Sequence, residues 1–374
     1  MSLVLSGRRA LLSSFVLLVA CSPSGLSALT APDVEPTPVA EPDPEPDVTD
    51  DTPDPTVPPD RPTPPAPDAD PYAHIVQVQR TDAMFTASGS QWTLQWPGTD
   101  AIGQAVYQQV GDDYDFLVVY TDREVVDEYA RAIKYDYSTG GLGDQWTGPG
   151  APSPLDAGSA GRLDQIDLMT WTGLYAPEPD ETSIVVHETT HRWAAFAEVA
   201  GGSLTDGWGG HWNVWTSTGG NSAVGYGDLV DLGTGRFRFT VSYPLSLSPL
   251  ELYLAGLAPA SSVSGLFRVE SRSGFTPSVP EYDPSWGAES YGEDVEFSGT
   301  RVDFDIDDVI AANGPRTPAF GAAPTTFRFG FVLVCESVCT DADLDVVEAQ
   351  RTAFPAAWSA ATGGVSTALT DLVP

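Results

Sequence analysis

The sequence predicts an α+β fold for residues 72–374. Two observations support this class. Apolar runs with the alternation of β-strands come first along the chain, and segments with helical periodicity come later, without the regular strand–helix alternation of an α/β protein. Strands bounded by turn residues are expected at 74–79, 91–96, 115–120 and 165–171. Because 41% of the residues are apolar and ten are tryptophan, the chain can bury a sizeable core.

The helical periodicity begins near residue 182. Asp180, Glu181 and Thr182 supply a capping region, apolar side chains then recur at helical spacing, and two glycines follow at 201–202. This pattern predicts a helix over 182–200.

Further helices are expected in the C-terminal part of the chain. Ser248 can cap a short helix in which Glu251 closes a capping box. Residues 302–306 alternate like an edge strand or lead into a helix, and residues 340–363 have a helical pattern with a break at Pro355. The C-terminal part is therefore predicted to be mainly helical.

Residues 1–21 have the organisation of an export signal. Two arginines precede an apolar run that is too short to span a bilayer as a stable helix, and Cys21 follows. The tetrapeptide 18–21 resembles the lipobox of bacterial lipoproteins, which implies cleavage before Cys21 and a lipid anchor on its side chain. Ser22 stands where an inner-membrane retention signal has Asp, which favours the outer membrane. An ordinary secretory signal is the alternative, and it also exports the protein.

Residues 22–71 have the composition of a disordered tether. They contain 16 of the 33 prolines, 12 acidic residues and no aromatic residue, so they cannot bury enough apolar surface to offset the entropy of ordering. As polyproline II, at about 3.1 Å per residue, the segment would extend to roughly 150 Å. The expected role is to hold the 72–374 domain away from the membrane; a proline-rich binding segment is the alternative.

The charge of the chain excludes one class of partner. There are 52 acidic residues against 17 basic ones, of which only Lys134 is a lysine, and the formal net charge is −35. No cationic face is available to release counterions from a phosphate backbone, so no nucleic-acid binding is expected. Residues 72–374 alone carry −26, which suggests a high-salt habitat or a preference for basic substrates. The oligomeric state is left open.

The segment His187-Glu188-Thr189-Thr190-His191 carries the strongest chemical signal. Residues four apart share one face of a helix, so both imidazoles can bind one Zn²⁺, and Glu188 beside them can take a proton from water. This pattern resembles the HExxH motif of the zincin metallopeptidases. The resemblance implies a zinc cofactor and a zincin-like fold, in which a mixed or antiparallel sheet packs on the HExxH helix.

A catalytic zinc site needs a third protein ligand and one open position. His211 is the expected ligand because it follows His191 by 20 residues, so that three of the four histidines lie within 25 residues. Asp206 and Asp228 remain alternatives. Glu198 lies on the same helical face as His191, but seven residues of helix rise by about 10 Å, which is too far for the same ion.

The resemblance implies an exported zinc metallopeptidase that hydrolyses peptide bonds in extracytoplasmic proteins or peptides, with Glu188 as the general base. Tyr253 is a candidate donor to the oxyanion, because zincins often use a tyrosine from a later segment; the alternative for Tyr253 is an aromatic core contact. Two other functions stay open. One is a surface binding or adhesion lipoprotein whose zincin scaffold has lost turnover, and the other is a metal hydrolase acting on a non-peptide bond.

Segments after the motif also resemble a group of secreted, mostly uncharacterised bacterial HExxH proteins. They are the His211-Trp212 pair, the glycine-rich run 219–225, the segment 248–257 and the ending 361–364. That group has a methionine where this chain has Ala255, so the resemblance does not extend to a methionine floor beneath the zinc.

Cys335 and Cys339 end an apolar strand, and in an exported protein they are expected to form a small-loop disulfide. The acidic residues at 341–345 are interpreted as the first turn of a helix, which the helix dipole favours. A calcium loop is disfavoured there because the turn glycine and the terminal glutamate are missing. Arg192, one position off the ligand face of the HExxH helix, is expected to be a surface or ion-pair residue.

Overall fold

A computed structural model describes residues 70–95, 98–126, 130–143, 155–178, 180–200, 202–205, 210–276 and 294–372. The expected signal at 1–21 with Cys21, the tether up to residue 69, and Asp206 lie outside the described residues. No helix in the described ranges has the length and apolar character that a membrane span requires.

The described residues form fifteen strands and five α-helices. The strands are β1 (Ile75–Gln79), β2 (Phe85–Ser88), β3 (Gln91–Leu94), β4 (Phe116–Thr121), β5 (Arg131–Lys134), β6 (Gln165–Trp171), β7 (Glu198–Val199), β8 (Gly202–Ser203), β9 (Thr216–Ser217), β10 (Gly227–Gly233), β11 (Arg236–Val241), β12 (Phe267–Thr276), β13 (Val295–Asp303), β14 (Thr326–Cys335) and β15 (Thr367–Leu369). The helices are α1 (Gly98–Tyr107), α2 (Ser183–Thr190), α3 (Pro249–Leu254), α4 (Ile306–Asn313) and α5 (Asp341–Ala361). The four strands expected between residues 74 and 171 are confirmed as β1, β3, β4 and β6.

The first sheet is mixed and has the strand order β1-β14-β4-β6-β5, with β15 paired to β14. Neighbours from β1 to β6 run parallel, whereas β5 is antiparallel to β6. All six residues of β4 are buried, as expected for a strand covered on both faces. Among the described strands, β5 has a partner on one side only. Within the part of the chain that the structure describes, β1 and β5 are therefore the terminal strands of this order.

Two hydrophobic clusters cover the two faces of this sheet. On one face, Leu117 and Val119 of β4 pack with α1 and the β2–β3 hairpin. On the other face, Phe116, Val118 and Tyr120 pack with α2, α5 and the second sheet. The alternation of β4 side chains between two clusters follows from the two-residue period of a strand. Helix α2, which carries the HExxH motif, thus lies on the face that is shared with the second sheet.

The second sheet is antiparallel, with the order β10-β11-β13-β12-β9. The sequence allows two interpretations of residues 302–306, and the structure contains parts of both: β13 ends at Asp303 and α4 begins at Ile306. Residues 302–303 pair with β12 only, because the pairing of β13 with β11 stops at Ser298, so the end of β13 has an edge position among the described strands. Only Val295 and Phe297, at the start of β13, are buried; the later residues of the strand are exposed or partly exposed.

Helix α2 is shorter than the sequence predicts. It ends at Thr190 after eight residues, with His191 as the C-terminal cap, rather than at residue 200. The apolar residues that follow are buried, but in an irregular segment that leads into the short strand β7. There the backbone N–H of Ala195 donates to the carbonyl of Gly210 at 3.4 Å. Contacts with distant residues can satisfy the hydrogen-bonding groups of this backbone, so its apolar side chains are buried without a helix.

The prediction of a mainly helical C-terminal part is wrong. Strands β12 to β15 all lie after residue 266, and β14 occupies an interior position of the first sheet. The expected break at Pro355 is also absent, because α5 runs as one helix of 21 residues. A proline in a helix removes one hydrogen bond. Burial of Phe354 and Trp358 on the same helix, both fully buried, opposes that cost.

Several predictions that depend on residues close together in the sequence are confirmed. Ser248 and Glu251 form the expected capping box of α3, and the acidic residues after Thr340 form the first turn of α5. Cys335 and Cys339 are joined by a disulfide, with an S–S distance of 2.07 Å. The capping region of α2 acts through Glu181, whose carboxylate accepts a hydrogen bond from the Ser183 N–H at 2.6 Å.

Candidate metal centre

Three histidines converge at the end of α2. His187 lies in the last turn of the helix, His191 caps it, and His211 comes from the segment that follows β8. The Nε2 atom of His187 lies 3.0 Å from that of His191 and 3.2 Å from that of His211. Within the described residues, these three form the one group of side chains arranged to hold a metal ion. The expected ligand set is therefore brought together, and Asp228 is not part of it.

The donor set fits a metal ion on chemical grounds. Nδ1 of His187 faces the carbonyl oxygen of Ala223 at 2.9 Å, and Nδ1 of His191 faces that of Ala194 at 3.2 Å. A carbonyl oxygen only accepts, so in the neutral rings each Nδ1 carries the proton and each Nε2 presents a lone pair. Two lone pairs that face each other at 3.0 Å repel unless a cation lies between them. Tetrahedral zinc with Zn–N bonds of 2.0–2.1 Å separates two nitrogens by about 3.3 Å, close to the observed spacing.

The electrostatics keep these imidazoles in the form that binds a metal. Burial lowers the pKa of His187 well below its usual value, and the nearby charge of His211 acts in the same direction. Burial, followed by the charges of His187 and His211, also lowers the pKa of His191. Both rings are therefore neutral near pH 7, which is the state required of a histidine ligand.

Glu188 points into the same region and is only 5% exposed. Burial raises the pKa of its carboxyl to about 8, and the charge of Asp167 contributes in the same direction, against a hydrogen bond from the backbone of Ala132. A carboxyl with such a pKa gains or loses a proton close to neutral pH, as a general base or acid must. A cation held by the histidines would favour its ionised form.

The buried carboxyl of Asp167 in β6 contacts α2, the helix that carries the HExxH motif. Its oxygens accept hydrogen bonds from Gln165 Nε2 at 2.6 Å and from Thr189 Oγ1 at 2.9 Å. Gln165 Nε2 also donates to the carbonyl of Glu188 at 2.7 Å. Burial raises the pKa of Asp167 to about 7. Nothing in the sequence pattern indicates this contact, because Asp167 is one polar residue in an otherwise largely apolar strand.

Glu251 connects the backbone around two of the histidines. Its carboxylate, fully buried, accepts hydrogen bonds from five donors. They are Trp212 Nε1 (3.0 Å), Ser222 Oγ (2.6 Å), Ala223 N (3.0 Å), Val224 N (3.1 Å) and Ser248 N (2.8 Å). Trp212 follows His211, and Ala223 supplies the carbonyl that orients His187. From the sequence, Glu251 is expected only as part of a capping box. The one sequence signal of a wider role is the His211-Trp212 pair, because Trp212 donates to Glu251.

A tyrosine lies against the histidines, but it is not the expected one. The ring of Tyr226 stacks on His187 with centroids 4.3 Å apart, and its centroid is 6.1 Å from that of His211. Tyr226 has a φ of 58°, in the left-handed region that non-glycine residues rarely adopt. The expected Tyr253 is buried in the core, and its hydroxyl accepts a hydrogen bond from the Arg316 N–H at 3.2 Å. Tyr253 makes no hydrogen bond or ring contact with the three histidines, so its position agrees with the core-contact alternative.

A cavity of about 210 Å³ opens beside the centre. Its wall includes Glu188, His191 and His211, together with Arg131 and Lys134 of the edge strand β5. The cavity therefore exposes the candidate base and two of the three candidate ligands to a space that can admit a substrate group.

Arg192 is buried rather than exposed at the surface. It forms ion pairs with Asp136 and Asp164, and its guanidinium donates to Thr139 Oγ1 at 3.1 Å. The expectation of an ion-pair residue is thus confirmed and that of a surface residue is wrong. This arginine, next to the candidate ligand His191, is held in the interior because two carboxylates compensate its charge.

Comparisons of this chain with protein-family models, with curated proteins and with solved structures returned no match.

Proposed function

We propose that residues 72–374 act as a zinc-dependent metallopeptidase on proteins or peptides outside the cytoplasm. One observation carries the proposal. The Nε2 atoms of three histidines converge, and the buried carboxyl of Glu188 lines a cavity together with His191 and His211. A structural zinc site usually has four protein ligands, whereas a catalytic one keeps a position open. Three histidines with a neighbouring carboxyl correspond to the catalytic arrangement.

Each residue of the candidate site would have its own role. His187, His191 and His211 would hold the ion, and the carbonyls of Ala223 and Ala194 would fix the first two rings through Nδ1. When bound, zinc supplies Lewis acidity that polarises a carbonyl group and lowers the pKa of water. Glu188 would take a proton from water at its carboxylate and pass it to the leaving amine, for which a pKa near neutrality is suited.

The position of the cavity at a sheet edge supports a peptide substrate. Residues of β5 line the cavity, and β5 has one described partner, β6. The backbone N–H and C=O groups of an edge strand can pair with an extended peptide. A substrate that adds to β5 would present its backbone beside the histidines.

Export and anchoring remain part of the proposal on sequence grounds. The signal at 1–21 and Cys21 would attach the chain by a lipid to the outer membrane, and the tether at 22–71 would separate the 72–374 domain from it. The substrates would then be extracytoplasmic proteins or peptides.

The decisive experiment compares the full-length chain with its Glu188→Gln variant. Metal content is measured by mass spectrometry, and cleavage is measured on a mixed peptide library. We expect one zinc per chain in both proteins, and cleavage lower by about 10²–10⁴-fold in the variant, which is the usual contribution of a general base. Glu198→Gln is the matched control, because the Glu198 side chain is exposed and its hydrogen bonds use the backbone.

Each other outcome points to a different function. If zinc binds and neither protein cleaves a peptide, a binding or adhesion protein is supported instead. If peptides stay intact but ester or other non-peptide substrates are hydrolysed with dependence on Glu188, the metal hydrolase alternative is supported. Absence of bound zinc from the wild-type chain would overturn the proposed metal centre itself.

A further inference from the structure

A buried glutamine connects the end of α2 to the first sheet. Gln165 begins β6, is fully buried, and pairs in register with Phe116 of β4 and Lys134 of β5. Its backbone is therefore fixed between two neighbouring strands. Its side-chain Nε2 donates to the carbonyl of Glu188 at 2.7 Å. A residue of the sheet thus contacts the backbone of the candidate general base directly.

The carbonyl of Glu188 lies where α2 runs out of internal hydrogen bonds. The last four carbonyls of a helix lack the regular partner four residues further along the chain. The N–H of His191 donates to this oxygen at 3.1 Å and is shared with the carbonyl of His187 at 3.3 Å. The hydrogen bond from Gln165 is shorter than either, at 2.7 Å. Gln165 therefore replaces a helical partner that the end of α2 does not supply.

The same amide takes part in a second buried contact. Nε2 of Gln165 also donates to Oδ1 of Asp167 at 2.6 Å, and Oδ2 of Asp167 accepts from Thr189 Oγ1 at 2.9 Å. All three residues are fully buried. Both partners of Nε2 are acceptors, which fixes the orientation of the amide. Strand β6 thus holds two consecutive residues of α2, Glu188 and Thr189, which lie between the two candidate ligands of the helix.

Stability alone does not account for this glutamine. Its Oε1 is buried and has no hydrogen-bond partner among the residues that the structure describes. A buried acceptor without a donor lowers stability, whereas apolar side chains in place of both polar partners can be neutral or stabilising. Gln165 also borders the cavity that Glu188 lines. Locally unfavourable polar groups of this kind are typical of functional sites.

The carboxyl of Glu188 depends on its backbone for its position. Within the described residues, it accepts a hydrogen bond from the backbone of Ala132 only. The two ligands on α2 are held independently, since backbone carbonyls outside the helix orient their rings through Nδ1. Loss of Gln165 would therefore displace the general base more than the ligands. A misplacement of about 1 Å at a reacting group lowers a rate by about 10²-fold.

We propose that Gln165 is a positioning residue, which holds the last turn of α2 on β6 and thereby sets the place of the Glu188 carboxyl. The effect on turnover rests on the proposed peptidase function, whereas the contact with α2 does not. Gln165 would act through Glu188 and not on the substrate itself.

The first test removes the donor. In Gln165→Met the side chain keeps a similar length and loses both hydrogen bonds from Nε2. We expect kcat of the zinc-loaded full-length chain on its best peptide to fall by about 10–100-fold, with KM and zinc affinity close to the wild-type values. An unchanged kcat, or a loss of zinc affinity in proportion to kcat, would overturn the proposal.

Gln350→Met is the matched control. Gln350 is also fully buried, donates Nε2 to the carbonyl of Glu181 at 2.9 Å and accepts from the Tyr120 hydroxyl at 3.2 Å. Each methionine variant therefore loses at least two hydrogen bonds, one of them to a carbonyl beside an end of α2. We expect a comparable fall in melting temperature and an unchanged kcat in Gln350→Met. An equal loss of kcat in both variants would show that Gln165 acts through stability alone.

A double variant tests whether the effect passes through Glu188. In the Glu188→Gln background, Gln165→Met should lower the residual cleavage little further, because the carboxylate that Gln165 positions is already absent. An additional loss as large as in the wild-type background would assign Gln165 an independent role and refute the proposal.

A second variant covers the case in which Gln165→Met does not fold. Thr189→Val removes only the hydrogen bond from the helix to Asp167. We expect a smaller fall in kcat from it than from loss of both Nε2 bonds, again with zinc affinity retained. An unchanged kcat in Thr189→Val would then contradict the proposal.

Hydrogen exchange separates the contact from turnover. The metal-free full-length wild type and both methionine variants are compared by mass spectrometry of peptic fragments. We expect faster exchange at residues 186–191 in Gln165→Met than in Gln350→Met, because the end of α2 has lost its contact with β6. If the wild type cleaves no peptide but this difference appears, Gln165 holds the helix end and the peptidase proposal fails. Equal exchange at 186–191 in the wild type and Gln165→Met would overturn the inference.

Discussion

Two buried glutamates, Glu188 and Glu251, lie in contrasting surroundings near the same three histidines. Glu251 accepts hydrogen bonds from five N–H and O–H donors, and these donors belong to the segments that carry Trp212, Ala223 and Ser248. Glu188 is supported by one backbone contact, from Ala132, and burial raises its pKa to about 8. Both are glutamates in the interior of one domain, yet only one of them borders the cavity.

The difference lies in how many acceptor positions are occupied. A carboxylate has about four lone-pair positions, and the five donors around Glu251 occupy them. A carboxyl with few donors in a buried site can take up a proton near neutral pH. Glu251 therefore suits a role in holding backbone segments together, and Glu188 suits proton transfer.

Removal of His211 is expected to have the largest effect on the centre. His211→Ala should lower zinc affinity by more than the 10–100-fold that loss of an outer hydrogen bond to a ligand costs, because it removes a ligand itself. Zinc affinity of the full-length chain is measured by competition with a chelator. His74→Ala is the matched control, since His74 lies at the start of β1, where it contacts Leu372 and Asp371. Full zinc content and activity in His211→Ala would show that the third ligand is another residue.

Glu251→Gln tests whether the second glutamate acts through the histidines. The amide offers fewer acceptor positions, so donors such as the N–H groups of Ala223 and Val224 lose their partner. We expect zinc affinity to fall by about 10–100-fold, and the free energy of unfolding to fall by about 1–3 kcal/mol. Cleavage at saturating zinc should be largely retained, in contrast to Glu188→Gln.

The control for this variant is Asp308→Asn, which disrupts the capping box of α4. It should lower stability through the same kind of local contact without changing zinc affinity. If both variants lose stability and neither loses zinc affinity, Glu251 has only a structural role.

The smallest effect is expected at Asp167, and it concerns the pH dependence of stability rather than zinc affinity. Its pKa is raised to about 7 by burial, so it stabilises the folded state below its ordinary pKa near 3.8 and this contribution is lost as the pH rises to about 7. Glu188 acts in the same direction up to about pH 8. Asp167→Asn should therefore weaken the fall in melting temperature between pH 4 and pH 7 in the zinc-free chain.

Thermal unfolding of the zinc-free wild type, Asp167→Asn and Asp82→Asn across this range checks the prediction. Asp82 is a suitable control because its side chain is 86% exposed. An unchanged slope in Asp167→Asn would show that Asp167 is ionised in the folded protein at low pH.

Much of the candidate site was predictable because its signals are local. The spacing of His187 and His191 and the position of Glu188 between them follow from the period of a helix. His211 was identified because few histidines exist in the chain. The capping box at Ser248 likewise depends on residues three apart.

The remaining parts of the site depend on contacts between distant segments. Asp167 and Lys134 belong to strands that precede the motif, and Tyr226 belongs to a turn after it. No spacing rule connects them, since each reaches the centre through the packing of the sheet on α2. The resemblance to zincins predicts Tyr253 as a donor to the oxyanion, but the fold directs its hydroxyl to the backbone of Arg316.

The HExxH motif, the early strands, the helix caps and the disulfide can be read from the amino-acid sequence, because they depend on residues close in the chain. Packing between distant segments sets the end of α2, the interior position of β14 in the first sheet and the charges that meet in the cavity. Hydrophobic burial does not depend on direction, so an apolar pattern cannot specify whether a helix, a strand or an irregular segment will bury it. The net charge of −35 describes the whole chain, whereas the fold places its single lysine beside the candidate metal centre.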